Sequence, residues 1–156
     1  MIGLKPFLQS PGLCGPASLK IVFNYYGVEA SEKEIAKIAG SLKEKGTGLI
    51  GLIKAAKSFG FETMIKDNSS LFDLKKYLDK RVPVIVDWFL EDDGHYAVVS
   101  GLNEKEIILM DPAIGKERKI PLAKFYRLWF DFPGEYIKTS KDLILRRTLI
   151  VKPILK

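Results

Sequence analysis

Gln9-Ser10-Pro11-Gly12-Leu13-Cys14-Gly15-Pro16-Ala17-Ser18, with the apolar run from Leu19 to Gly27 behind it, is the stretch on which the fold turns. Leu19, Val22, Phe23 and Tyr26 recur at three- and four-residue steps, the spacing of a helix buried along one stripe. Pro16 suits the first turn of that helix, where a missing N–H costs nothing. Gly27 supplies a stop after the last turn. The pattern puts Cys14 at the N-terminal end of a buried helix, directly behind a Pro-Gly loop. Unpaired N–H groups and the positive end of the helix dipole favour a thiolate there. A free cysteine is more often a small apolar filler, but a filler would sit further along, among Leu19, Ile21 and Val22. Cys14 is the only cysteine in the chain, His95 the only histidine and Gln9 the only glutamine.

Outward from this stretch, the remaining elements follow from local signals. Ser31 and Glu34 form a capping box for a short second helix that ends at Gly40. A polar loop from Ser41 to Gly46 follows, and Thr47 is placed to cap a third helix carrying Leu49, Leu52, Ile53 and Ala56. Phe61 to Ile65 alternates as a strand. Asn68-Ser69-Ser70 opens a fourth helix with Leu71, Leu74 and Leu78 inward. Val82 to Phe89 is strongly β-forming, with Pro83 near its start. Glu91-Asp92-Asp93-Gly94 reads as a hairpin turn. His95 to Gly101 and Glu106 to Met110 read as the next two strands. A short Lys116 to Ile120 piece, a helix around Leu122 to Phe130 and a closing strand at Leu149-Ile150-Val151 complete the chain. Helices first and antiparallel strands after them give an α+β class, a helical layer packed on an antiparallel sheet, in one domain over residues 1–156.

Composition narrows the function. With 156 residues and 47% apolar content the chain can bury a sizeable core. One cysteine excludes an intrachain disulfide framework and fits a reducing, cytoplasmic setting. No apolar run reaches the roughly 20 residues that a membrane helix needs. No basic segment and apolar stretch of signal type opens the chain. The net charge of +6 is uneven: residues 1–111 carry 14 Lys/Arg against 15 Asp/Glu, and residues 112–156 carry 11 against 4. No aromatic–basic motif accompanies the excess, which argues for a solvated surface and against a nucleic-acid partner. One histidine and one cysteine leave too few ligands for a zinc centre, so neither metal nor cofactor is expected.

A thiolate at a helix start needs a base and a group to orient that base. If the strands holding His95 and Asp111 are antiparallel neighbours, the start of one lies beside the end of the other. The imidazole and the carboxylate then meet at one edge. Gln9 could add an amide N–H to the backbone N–H of Cys14 and hold a developing oxyanion.

Gln9 to Ser18 and Tyr25-Tyr26-Gly27 resemble the N-terminal motif of the double-glycine leader peptidases, bacteriocin-processing cysteine peptidases of the papain-like superfamily. Gly94-His95-Tyr96-Ala97-Val98-Val99-Ser100-Gly101 resembles their histidine motif and Asp111-Pro112-Ala113-Ile114-Gly115 their aspartate motif. The resemblance implies a papain-like α+β fold acting on a peptide or protein. Many members are N-terminal domains of export transporters, whereas with neither a membrane segment nor a nucleotide-binding motif a stand-alone domain is expected here. The resemblance also implies Cys14 as nucleophile, His95 as base and then acid, Asp111 as orienter and Gln9 as oxyanion donor. The interval from Gln9 to Cys14 is one residue shorter than is usual in that family. A peptide-binding module that cleaves nothing, or an amidase or acyl transferase using the same trio, stays open on the residues alone.

Overall fold

The computed structural model describes residues 1–42 and 46–155; the middle of the polar loop expected over Ser41 to Gly46 lies outside them. Three helices come first: α1 (Cys14–Tyr25), α2 (Glu32–Ala39) and α3 (Leu49–Ser58). Strand β1 (Phe61–Lys66) and helix α4 (Leu71–Asp79) follow. The strands β2 (Val84–Leu90), β3 (Asp93–Leu102), β4 (Glu106–Asp111) and β5 (Lys116–Pro121) run as a meander into α5 (Leu122–Leu128). Short strands β6 (Phe130–Asp131) and β7 (Ile144–Leu145) precede the last strand, β8 (Thr148–Pro153).

The main sheet has the order β1-β8-β2-β3-β4-β5, and every pairing in it is antiparallel. The α+β class read from the sequence is what the chain adopts. Strand alternation divides the core. Ile85, Val98, Met110, Leu149 and Val151 point toward α1, α2 and α3, where they meet Leu19, Phe23, Ile35 and Leu52. Val84, Val86, Trp88, Val99 and Leu109 point the other way, toward Leu74 of α4 and Phe125 of α5. Helices therefore cover both faces of the sheet, and the N-terminal helical layer is one of two. The central strands are accordingly apolar at nearly every position, as strands buried on both sides must be.

Local chemistry sets most of the boundaries. Ser31 accepts from the Glu34 N–H at 3.0 Å while the Glu34 carboxylate returns to the Ser31 N–H, closing the expected capping box. Gly40 then ends α2 with φ 68°. Ser70 and Asp73 cap α4 in the same way. Thr47 does not cap α3: the N-cap is Gly48, and the Thr47 hydroxyl is spent on Ser41 instead.

The hairpin after β2 also differs from its sequence signal. Its turn is Glu91-Asp92, with Leu90 opposite Asp93, so Asp93 and Gly94 belong to β3. His95 is thus the third residue of its strand and not the first. The last helix stops at Leu128, because Phe130 and Asp131 pair with Leu145 and Ile144.

Candidate active site

Cys14 is the first residue of α1, half-buried, and no side chain caps the helix there. Its approach loop is tied down where it begins and closed by a turn before the helix. Ser10 donates from its N–H and its hydroxyl to the Glu32 carboxylate, at 2.8 and 2.6 Å, at the start of α2. The Gln9 N–H donates to the Pro112 carbonyl at 2.9 Å, immediately beyond Asp111. The Leu13 N–H closes a turn on Ser10 O at 3.1 Å, across Gly12 at φ 76°, a left-handed conformation that glycine adopts without strain. The loop that delivers the thiol is therefore anchored to the segment that delivers the carboxylate.

His95 and Asp111 meet as the antiparallel geometry requires. β3 and β4 are neighbours, and His95 Nε2 lies 2.6 Å from Asp111 Oδ1. Both are enclosed, His95 at 6% exposure and Asp111 at 0%. The Trp88 ring, directly across the hairpin from His95, stands edge-on to the imidazole with centroids 6.1 Å apart. With Nε2 engaged by the carboxylate, Nδ1 is the ring nitrogen left for the thiol. Asp111 is held on every side. Its Oδ1 also accepts from the Ala113 N–H at 2.9 Å, and its Oδ2 accepts from Arg118 Nε at 2.6 Å.

These contacts set the charges. Burial of the His95 ring disfavours the cation, but hydrogen bonds to Asp111 and to Cys14, with the attraction of both, outweigh it and raise His95 to about 9. The ring is an imidazolium at neutral pH. Burial pushes the Asp111 carboxyl up, and the His95 bond, the Ala113 N–H and Arg118 more than reverse this, so Asp111 stays ionised below the usual carboxylate range. Gln9 sits half-buried on the anchored loop. Its Nε2 reaches only Ser10 O at 3.5 Å, and its Oε1 is buried without a partner among the described residues. The unpartnered atom is the acceptor of the amide, whereas the oxyanion role expected of Gln9 calls on its N–H donors.

The chain matches the Peptidase C39 family over residues 9–133, which spans all four of these positions. The chain belongs to the peptidase C39 family. It is 37% identical over 119 residues to the transport/processing ATP-binding protein ComA of Streptococcus pneumoniae, covering 74% of this chain and 16% of that protein. It is 38% identical over 104 residues to a protein of Methanothermobacter thermautotrophicus, covering 66% of this chain and 67% of that one. Among solved structures, the peptidase domain of Streptococcus ComA superposes with a TM-score of 0.72 at 26% identity, over 99% of this chain and 100% of that one. A double glycine motif protease from an AMS/PCAT transporter, in complex with its leader peptide, gives 0.73 at 25% identity over 97% and 93%. The C39 chain thus spans about one sixth of the length of the first transport/processing relatives it matches and the whole of a solved peptidase domain. Among its described residues no helix is long and apolar enough to cross a membrane.

The C39 site has neighbours that the sequence reading missed. Asp87, in the middle of β2, is 3% exposed, and burial followed by the adjacent Asp131 carboxylate pushes it up to about 9. Asp131 in turn lies against the Cα of Gly94, where any side chain would collide with its carboxylate. An aspartate inside Val84-Ile85-Val86-Asp87-Trp88-Phe89 is a visible signal, since strands buried on both faces do not carry lone charges. Arg118 gave no such signal, being one of many basic residues in the last third of the chain.

Proposed function

We propose that this C39 chain hydrolyses peptide bonds through Cys14, His95 and Asp111, by way of a thioester acyl-enzyme. The observation that carries the reading is the 2.6 Å contact between His95 Nε2 and a buried, ionised Asp111, with Cys14, at an uncapped helix start, among the groups that act on His95. The Cys14 sulfur attacks the scissile carbonyl carbon, and the carbonyl oxygen takes the negative charge of the tetrahedral adduct. We assign the Cys14 N–H and the Gln9 amide N–H as the donors to that oxygen. The C–N bond breaks as His95 passes its Nδ1 proton to the departing amine, leaving a thioester on Cys14 and a neutral imidazole. Water then gives a proton to His95 and adds to the thioester carbon. Collapse of that adduct releases the carboxylic acid and restores the thiolate and imidazolium. Asp111 fixes the ring plane and stabilises its cationic form throughout.

The lone thiol suits a reducing, cytoplasmic setting. A double-glycine leader peptide, of the kind held by one solved relative, is the first substrate to test. Mass spectrometry is expected to find two fragments with the parent chain, and intact peptide with Cys14→Ala. Cleavage that persists in Cys14→Ala overturns the assignment.

A further inference from the structure

β5 runs beside β4 in a register that sets Lys116 opposite Asp111 and Arg118 opposite Leu109. Residues two apart share a face, so Lys116, Arg118 and Ile120 lie on the same side of the sheet as Asp111. Lys116 is exposed, whereas the Arg118 side chain is 29% exposed and reaches diagonally to Asp111, with Nε 2.6 Å from Oδ2. The two Nη atoms of Arg118 make no hydrogen bond among the described residues. The whole polar investment of this arginine is in one oxygen.

That oxygen matters because a carboxylate swings easily about its last torsion, which is broad and two-fold. His95 and the Ala113 N–H both use Oδ1, and because the two oxygens turn together about that torsion, the Arg118 bond to Oδ2 adds a hold on the opposite side of the carboxylate. Arg118 holds Oδ2 and thereby fixes the plane from which Oδ1 meets Nε2. We propose that Arg118 is a positioning residue of the active site, locking the Asp111 carboxylate in the orientation that holds the His95 ring toward Cys14. The inference rests on the reading of Cys14, His95 and Asp111 as the working trio.

The sign of one titration separates this role from two simpler ones. Asp111 from β4 and Cys14 from α1 act on His95 directly, Arg118 from β5 stands behind Asp111, and Asp131 from β6 lies against the neighbouring Gly94. Deleting a cation near an imidazolium, with nothing else changed, makes the imidazolium easier to form and moves its titration to higher pH. Deleting a staple between two strands lowers stability and leaves the titration in place. Losing the grip on Asp111 weakens the His95 bond and moves the titration to lower pH.

His95 is the only histidine, so its ring resonances in an NMR pH titration are unambiguous. Arg118→Gln is expected to move the His95 titration to lower pH, in the direction of Asp111→Asn, and the double variant to move it no further than Asp111→Asn alone. Alkylation of Cys14 by iodoacetamide at pH 7 should slow roughly 10-fold in the same variant, as for loss of one charge-assisted hydrogen bond. Arg118→Lys, a point charge in place of a planar fork, should recover part of both. Arg118→Met keeps the aliphatic stem and decides the matter if the glutamine variant does not fold. A titration that rises or stays put in the folded variant overturns the proposal, as do additive effects with Asp111→Asn. His95→Ala is the control: if it leaves alkylation unchanged, the trio itself has failed and the role of Arg118 falls with it.

Discussion

Asp111, at the end of β4, and Asp87, in the middle of β2, are both enclosed by the same sheet, at 0% and 3% exposure. Asp111 has a histidine, an arginine and a backbone N–H on its two oxygens, and burial is overcome. Asp87 has a second carboxylate beside it, one oxygen without a partner, and only the more distant Arg147 in opposition. The first is held ionised and the second is pushed up to about 9, so it is protonated at neutral pH. Desolvation raises both. What decides the charge is the company each one keeps. The ionised aspartate faces the imidazole that needs an anion. The neutral one lies beside Asp131, which packs on Gly94, the residue before that same imidazole.

The contrast is broken most severely by removing the ionised member. Asp111→Asn removes the carboxylate that His95 bonds, and peptide hydrolysis should fall about 100-fold or more, by analogy with other orienting carboxylates. Steady-state kinetics at pH 7 and across pH 6–10 would check it. In the parent, the limb of the profile that reports loss of the His95 proton is expected near pH 9, and in the variant at lower pH.

Gly94→Ala comes next. A methyl group there would occupy the space of the Asp131 carboxylate, so both activity and the denaturant midpoint should drop, by roughly 1–3 kcal/mol in stability. Asp131→Gly in the same chain should return part of the loss, which urea unfolding can measure.

Stability against pH should then separate the two aspartates by sign. Asp87 titrates higher folded than unfolded, so its contribution is complete below pH 4 and is lost as pH climbs toward 9. Asp87→Asn should flatten that decline. Asp111 titrates lower folded than unfolded, so its contribution is present above about pH 4 and disappears in acid. Asp111→Asn should flatten the acid limb and, by lowering the His95 titration, also the part of the alkaline decline that His95 contributes. The smallest effect is expected at Lys116, which faces Asp111 in register yet is exposed. Lys116→Gln should change stability by no more than about 0.5 kcal/mol and leave hydrolysis unaltered.

Features settled within four residues were legible in the chain: the capping box at Ser31, the start of α1 at Cys14, the turn at Asn103. So was the meeting of His95 with Asp111, because one short turn between two strands fixes which ends adjoin. Features settled by distant partners were not. Asp93-Gly94 has the composition of a turn, but Asp131, 37 residues on, packs against Gly94 in the strand. Thr47 has the chemistry of a cap, but Ser41 takes its hydroxyl. β8 lies between β1 and β2 although it comes last in the chain, which no local pattern announces. Arg118 is distinguished from its basic neighbours only by strand register, and that register exists only once β4 and β5 have paired.

If His95 is held as an imidazolium between Cys14 and Asp111, an NMR pH titration of this single histidine must show it. A midpoint near pH 9 is expected in the parent, falling in both Cys14→Ala and Asp111→Asn. A midpoint near the ordinary histidine value of about 6.5, indifferent to either substitution, would contradict it.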